Sequence, residues 1–292
     1  MNHFEKVFQC FPIEVQRQIG GLAPEIQEEI NEIRVYRGKP VQLYAGKNQY
    51  SLKGSITGGQ IHSLLNNLMK FSYYAYEDDI AKGFITIDGG HRVGLCGKAV
   101  VEAGKVTLIR DISSLNIRYS REIIGCSDKI MPYVFDEEGN LCNLLIVSPP
   151  GCGKTTLLRD LARNISLQGI KVGICDERSE IAGMCGGIST YTFGSAVDVL
   201  DGCPKALAMQ MMIRAMSPQL LITDEIGAKA DADAIKSCSG SGVKVISSMH
   251  GSCMEDLKKT EVWEIIEGNS FDYIIFLTDQ PVIGTIKEIY HD

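Results

Sequence analysis

The sequence predicts an α/β fold in two parts, in which a smaller N-terminal α+β domain precedes a domain built around a mostly parallel sheet. Before residue 121, alternating apolar and polar runs with glycine-rich turns are typical of β-hairpins. After residue 140, apolar strands alternate with helical patterns, as in a parallel sheet with helical crossovers. We therefore predict an α+β domain at 1–121, a helical connector at 122–140 and an α/β domain at 141–292.

In the N-terminal domain, Pro24 opens an acidic segment that predicts a helix over residues 24–30. Large apolar residues recur on one helical face between residues 57 and 74, so a second helix is predicted there. Alternating runs on either side of glycine-containing turns predict the remaining elements. These are strands at 32–36 and 41–44 and hairpins at 83–97 and 99–109.

The C-terminal domain is predicted to alternate strictly between strands and helices, with an irregular loop between its second strand and second long helix. Its predicted strands lie at 144–147, 172–175, 220–223, 243–247 and 273–277, and its longer helices at 155–167, 204–216 and 231–237. The carboxyl ends of parallel strands meet at one edge of the sheet, where such folds bind ligands.

Composition excludes several classes of protein. Of the 292 residues, 45% are hydrophobic, and 29 basic against 36 acidic residues give a formal charge of −7, which argues against a nucleic-acid partner. The ten cysteines form neither a C-x-x-C pair nor a zinc-ligand spacing with histidine, as expected in a reducing compartment. Because the sequence shows neither a signal peptide nor a run of roughly 20 apolar residues, we predict a cytoplasmic protein with no direct membrane insertion.

The segment after the first apolar strand of the second domain predicts a phosphate-binding loop for ATP. It departs from the pattern G-x-x-x-x-G-K-[ST] only at its first position, where serine replaces glycine. Backbone N–H groups of such a loop converge on the β-phosphate, the lysine reaches the β- and γ-phosphates, and the next hydroxyl ligates Mg²⁺. The alternative is a chance glycine-rich turn. The proposed nucleotide-binding residues are Ser148, Pro149, Pro150, Gly151, Cys152, Gly153, Lys154, Thr155 and Thr156.

Two acidic residues follow the apolar strand at 220–223. Asp224 is placed to hold Mg²⁺ together with Thr155, and Glu225 has the position of a base that deprotonates the attacking water. An Asp-Glu pair after a strand is also an ordinary polar start for the next helix. Its place two strand–helix units after a phosphate-binding loop favours the catalytic interpretation.

Three further candidates lie where other strands end. His250 follows the strand at 243–247 and is either a sensor of the γ-phosphate, an orienting partner for Glu225, or a structural hydrogen-bonding residue. Glu177 is a candidate for positioning water or contacting metal. Arg178 is either a γ-phosphate sensor or the partner of acidic neighbours, and the segment is alternatively a solvated run of charges.

Several segments together resemble the stage III sporulation protein AA family of endospore-forming bacteria. The resemblance extends from about residue 32 to the C-terminus. Its more specific parts are the segment 176–183, Asp198-Val199-Leu200-Asp201-Gly202-Cys203-Pro204-Lys205 and Ile213-Arg214-Ala215-Met216-Ser217-Pro218. The hairpin at 83–94, Asp224-Glu225-Ile226-Gly227 and Met249-His250-Gly251 also match.

The resemblance implies an ATPase of the additional-strand P-loop class, related to hexameric secretion motors. It further implies peripheral recruitment, on the mother-cell side, to a membrane protein of a channel complex between mother cell and forespore. By the same resemblance, Glu177 and Arg178 correspond to the acidic box of such motors and His250 to their histidine box. In such motors a neighbouring subunit donates an arginine. The candidates in the N-terminal domain are Arg92, Arg110, Arg118 and Arg121.

Two other functions remain open from the sequence. A nucleic-acid-stimulated ATPase would use the same core, although the acidic charge and the lack of a basic tail argue against it. A nucleotide-dependent scaffold would bind ATP without turnover. It has no need for an acid beside the metal-binding carboxylate, so the Asp224–Glu225 pair argues against it.

Overall fold

The computed structural model describes residues 3–120, 122–185 and 187–291. They form two compact units. The first consists of residues up to Ser120 together with Gly183–Thr190, and the second contains the rest of the chain. No helix within the described ranges is both long enough and apolar enough to cross a bilayer.

The first unit is a six-stranded antiparallel sheet with the order β3-β2-β1-β6-β5-β4, covered by short helices. Its elements are α1 (His3–Gln9), α2 (Ile13–Gly20), α3 (Pro24–Glu29), β1 (Ile30–Tyr36), β2 (Gln42–Ala45), β3 (Asn48–Ser51), α4 (Gly58–Leu68), α5 (Glu77–Ala81), β4 (Phe84–Ile87), β5 (His91–Glu102) and β6 (Lys105–Arg118), with a 3₁₀ helix at Tyr73–Tyr76.

Helix α4 is shorter than the predicted helix at 57–74. It begins with a capping box in which the Thr57 hydroxyl accepts from the backbone N–H of Gln60 and the Gln60 side chain bonds back to Thr57. It ends at Leu68, because Lys70 and Phe71 adopt φ angles of 51° and 60° that no right-handed helix contains.

The two predicted hairpins are one three-stranded meander, because β5 continues without interruption from the first hairpin into the second. Gly97 lies where the β5–β6 register shifts. A Cβ atom there would approach the carbonyl oxygen of Arg110 to 2.6 Å. Glycine therefore permits a bulge within one long strand at this position, where the sequence analysis placed a break between hairpins.

The rest of the chain contains, in order, β7 (Leu144–Ser148), α6 (Lys154–Ser166), β8 (Val172–Asp176), β9 (Met184–Cys185), β10 (Ile188–Ser189), β11 (Val197–Asp201), α7 (Lys205–Ala215), β12 (Leu220–Thr223), α8 (Lys229–Gly240), β13 (Lys244–His250), α9 (Met254–Leu257), α10 (Trp263–Glu267), β14 (Tyr273–Thr278) and β15 (Thr285–His291). The short pair β9–β10 clusters with the first unit.

The helical connector predicted at 122–140 is wrong for the residues described. The segment contains turns and one 3₁₀ helix, Met131–Tyr133, and it belongs to the second unit. Hydrogen bonds from side chains compete with a helix here. The Asp136 carboxylate accepts from the backbone N–H groups of Glu138 and Asn140, and the backbone N–H of Ser127 donates to Asp160 on α6.

The sheet of the second unit has the order β11-β8-β12-β13-β7-β14-β15, and every neighbouring pair is parallel except β14–β15. Strand β13 lies between β7 and β12. The register aligns Ser148 with His250 and Thr223 with Ser247. The carboxyl ends of β7, β8, β12 and β13 therefore lie along one edge, and this edge positions the candidate site.

Candidate active site

The glycine-rich loop occupies the turn from β7 into α6. Gly151 and Gly153 have φ angles of 80° and 83°, a left-handed conformation that glycine adopts without strain. Gly153 is the N-cap of α6, so the free N–H groups of the first helical turn lie at the end of the loop. Thr155 and Thr156 are the second and third residues of that helix, and Cys152 is buried.

The Lys154 ammonium lies inside this loop and is 6% exposed. Its Nζ donates to the carbonyl oxygen of Ser148 at 3.1 Å and to the Ser148 hydroxyl at 3.3 Å. Burial lowers the pKa of Lys154 below its ordinary value, although the charge of Glu225 acts in the opposite direction. The serine that departs from the glycine pattern therefore supplies an acceptor for the lysine of the loop.

A chain of hydrogen bonds links four residues from separate segments. Lys154 Nζ lies 3.0 Å from Nδ1 of His250, and Nε2 of His250 lies 2.9 Å from Oε1 of Glu225. The other oxygen of Glu225, Oε2, accepts from NH1 of Arg178 at 2.8 Å. Because an ammonium only donates, Nδ1 of His250 accepts and Nε2 carries the proton that it donates to Glu225. This arrangement of donors and acceptors corresponds to the Nε2–H tautomer of the imidazole.

The backbone at Glu225 supports this arrangement. Its φ angle is 39°, a conformation that non-glycine residues seldom adopt, and its N–H donates to the Ser248 hydroxyl at 3.1 Å. Strained backbone that is fixed by neighbouring hydrogen bonds often accompanies a functional side chain. Here it turns the chain immediately after Asp224 and brings the Glu225 carboxylate to His250.

Two buried carboxylates lie beside this chain. Asp224 is 2% exposed, and burial together with the charge of Asp176 raises its pKa to about 7. Asp176, at the end of β8, is fully buried, and burial raises its pKa to about 6 although it accepts three backbone N–H bonds from Glu180, Ile181 and Ala182. The sequence analysis did not single out Asp176, whose signal was its place at the end of an apolar strand.

These raised pKa values predict that the metal-free protein loses stability as the pH rises. Between about pH 4 and pH 7 the folded state binds more protons than the unfolded state, so the free energy of unfolding falls through this window, by up to about 4 kcal/mol for Asp224 alone. Asp224→Asn should be more stable than the unmodified protein at pH 8 and should show a smaller fall between pH 5 and pH 8. Denaturant titrations in a chelating buffer measure both.

Asp233→Asn is the matched control, because Asp233 is exposed on α8. It should leave the pH dependence unchanged. If the free energy of unfolding were flat between pH 5 and pH 8 in the unmodified protein, burial would not penalise the Asp224 charge.

Glu177 pairs with a residue outside the hydrogen-bonded chain that contains Glu225. Oε2 of Glu177 lies 2.5 Å from Nζ of Lys205, the first residue of α7. Burial alone would raise the pKa of Glu177, but its hydrogen bond and ion pair with Lys205 outweigh that effect and lower it. Arg178, next to Glu177 in sequence, pairs with Glu225.

A further buried residue, Arg159 on α6, was not found from the sequence. Its side chain is 3% exposed. Its Nε donates to the carbonyl oxygen of Ile181 at 2.8 Å, and its NH2 donates to the carbonyl oxygen of Glu180 at 2.5 Å. Its guanidinium lies 3.9 Å from the centroid of the Tyr191 ring. Arg159 on the helix that begins at the glycine-rich loop therefore contacts residues of its own unit on both sides of segment 183–190. Of the arginines considered as donors to a neighbouring subunit, Arg121 lies outside the described residues.

The chain is similar in sequence to known proteins over nearly its whole length. The sequence model of the family described as sporulation stage III, protein AA matches residues 1–292. The chain is 40% identical over 291 residues to stage III sporulation protein AA of Bacillus subtilis (strain 168). This alignment covers 98% of this chain and 94% of that protein.

Solved structures agree with the fold. The pilus retraction motor PilT with bound ADP superposes with a TM-score of 0.62 at 15% identity, over 91% of this chain and 79% of PilT. The ATPase DotB of Yersinia pseudotuberculosis superposes with a TM-score of 0.58 at 14% identity, over 92% of this chain and 76% of DotB. The predicted additional-strand P-loop fold is confirmed. The additional strand is β13, which lies between β7 and β12.

Proposed function

The chain belongs to the sporulation stage III, protein AA family, and on this premise we propose that it binds and hydrolyses ATP as the motor of a secretion-like channel complex between mother cell and forespore. The observation that carries the proposal is the hydrogen-bonded chain Lys154–His250–Glu225–Arg178 beside the glycine-rich loop. It joins a phosphate-binding lysine to a carboxylate with the position of a general base. A phosphate-binding protein without turnover has no need for this connection.

In this proposal the loop residues bind the phosphates. The N–H groups at the start of α6 and the Lys154 ammonium would hold the β- and γ-phosphates, since both are directed to the same loop. Burial of Lys154 lowers its pKa, and an anionic phosphate would favour its charged form. PilT, which shares the fold, was solved with bound ADP, and this supports nucleotide binding by the chain.

In this proposal Asp224 and Thr155 would hold a Mg²⁺ ion. A buried carboxylate whose pKa is raised by burial and by a second carboxylate is stabilised by a divalent cation, and oxygen donors are the ligands that Mg²⁺ prefers. When bound, Mg²⁺ would offset the negative charge of the phosphate oxygens. Thr155, at the second position of α6, would supply a hydroxyl ligand.

Glu225 is the proposed general base. Its carboxylate would accept the proton of the attacking water, and His250, which donates to it through Nε2, would orient it. Since Nδ1 of His250 also meets Lys154, a change in the position of the ammonium on phosphate binding would reach Glu225 through the imidazole. Arg178 would either hold Glu225 or, on release, stabilise the charge of the γ-phosphate. Glu177, paired with Lys205, would have a supporting role.

We further propose that turnover requires a ring of subunits and does not occur in a monomer, because each subunit pairs its own Arg178 with Glu225. A neighbouring subunit would then supply the arginine that stabilises transition-state charge. This proposal includes a hexameric ring, a membrane-protein partner and recruitment to the mother-cell side of the channel. The relation to secretion and pilus ATPases in fold supports it.

ATPase activity measured against protein concentration tests the function and the assembly together. Specific activity should rise with concentration as rings form, and rise again with membranes that contain the partner protein. Full specific activity in a sample shown to be monomeric by light scattering would contradict the ring. Stimulation by DNA or RNA would instead favour a nucleic-acid-dependent ATPase, and ATP binding without hydrolysis in any state would favour a scaffold.

A further inference from the structure

We propose that Val282 and Ile283, in the loop between β14 and β15, form an apolar platform for the base of the bound nucleotide. This inference rests on the proposed function, since it needs a nucleoside triphosphate in the glycine-rich loop. It adds a binding site for the part of the substrate that the phosphate-binding residues do not contact.

The topology of the sheet places this loop on the required side. β7 lies between β13 and β14, and all three run parallel, so the loops after them lie along the same edge. His250 and Glu225 come from the β13 and β12 side, where the proposed hydrolysis would occur. A triphosphate that extends across the loop away from them would leave its nucleoside on the β14 side.

Contacts confirm that the β14–β15 loop reaches the glycine-rich loop. A Cβ atom on Gly153 would lie 3.2 Å from Cγ2 of Ile283, and one on Gly284 would lie 3.8 Å from the carbonyl oxygen of Cys152. The Lys129 ammonium also donates to the carbonyl oxygen of Gly284, so the loop is held by the segment before β7 as well. Ile283 is therefore a neighbour of the residue that caps α6.

The platform is exposed and its backbone is fixed. Val282 is 68% and Ile283 65% exposed, although both are large apolar residues beside a polar loop. The backbone N–H of Gly284 donates to the carbonyl oxygen of Thr278 at 3.0 Å, and the Thr285 hydroxyl donates to that of Val282 at 2.7 Å. A preformed apolar surface loses little conformational entropy when it binds a flat ring.

The chemistry of the platform predicts how it selects nucleotides. Aliphatic side chains contact the face of a ring and supply no hydrogen bond to its edge. They therefore favour purines by contact area and discriminate poorly between adenine and guanine. The ligand class of this site is a purine nucleotide, bound through its phosphates by one loop and through its base by another.

The test compares ligands with and without a base. The variant Val282→Ser/Ile283→Ser should bind ATP and GTP about tenfold more weakly than the unmodified protein, because apolar contact area is lost. Its affinity for inorganic tripolyphosphate should stay within about twofold. Leu167→Ser is the matched control, since Leu167 is 60% exposed at the end of α6, and it should change none of these affinities.

A second variant reports the contact directly. The chain contains one tryptophan, Trp263, and Val282→Trp would add another on the platform. Its fluorescence should change when ATP is added and should not change with tripolyphosphate. The single-tryptophan parent should show neither change.

The outcomes separate the two proposals. If the unmodified protein binds tripolyphosphate and ATP equally well, or if the double serine variant keeps the ATP affinity of its parent, the platform is wrong and the phosphate site stands. If the double variant also loses affinity for tripolyphosphate, the substitutions disturb the glycine-rich loop, and the proposed platform is wrong in this case too. If the unmodified protein binds neither ligand, the proposed function itself fails.

Discussion

Glu225→Gln should retain ATP binding and lower turnover by about 10²–10⁴-fold, the usual contribution of a positioned general base. The amide is nearly isosteric with the carboxylate but does not accept the proton of the attacking water. Lys154 and the loop keep their own contacts with the phosphates, so the affinity for ATP should change little. Single-turnover hydrolysis and equilibrium binding of a labelled ATP analogue measure the two effects separately.

The contacts of Glu225 define the control for this substitution. A glutamine can accept from His250 or from Arg178, but it places a donor opposite the other. Arg178→Gln removes the arginine contact and keeps the carboxylate, so it should cost less turnover than Glu225→Gln. If Glu225→Gln hydrolyses ATP within a few-fold of the unmodified protein, Glu177 becomes the candidate base and Glu177→Gln should then show the larger loss.

Lys154→Ala should abolish ATP binding, with a loss in affinity of at least about 10²-fold. The ammonium is a compact charge held inside the loop, and arginine does not reproduce its geometry. The substitution also removes the donor to Nδ1 of His250, so any residual hydrolysis should be slow. Titration with a labelled ATP analogue measures the affinity.

Lys171→Ala is the control for Lys154→Ala, because it removes the same charge from an exposed position in the same unit. It should bind ATP normally. Unchanged affinity in Lys154→Ala would reject the phosphate-binding loop, including the interpretation that Ser148 replaces its first glycine.

The elements with strong periodic patterns could be predicted from the sequence. The predicted strand at 220–223 has the bounds of β12, and the helix predicted at 155–167 differs from α6 by one residue at each end. Both are buried elements whose apolar spacing reflects their packing. Strands β11 and β15 were missed because they are edge strands with few buried residues, so no apolar pattern marks them.

The site could be predicted only in part. The end of each parallel strand is readable from the sequence, which is why Asp224, Glu225 and His250 were named together. Arg178 pairs with Glu225, 47 positions away, and its neighbour Glu177 pairs with Lys205, 28 positions away. Two adjacent side chains thus have different partners, both distant in sequence. The pairing of Arg178 with Glu225 also depends on the backbone at Glu225, whose positive φ angle is not predictable from its residue type.

The discontinuity of the first unit has a practical consequence for dissecting the protein. The chain passes from one unit to the other at residues 120/121, 182/183 and 190/191, so three boundaries separate them. A fragment that begins at residue 122 would carry the β9–β10 pair without the rest of the unit with which it clusters. Cys185 would also lose Tyr76, whose hydroxyl lies 3.8 Å from its sulfur. A fragment that contains only the second unit therefore calls for a short glycine–serine bridge in place of 183–190. Arg159 would hold both ends of that bridge, since it contacts residues 180, 181 and 191.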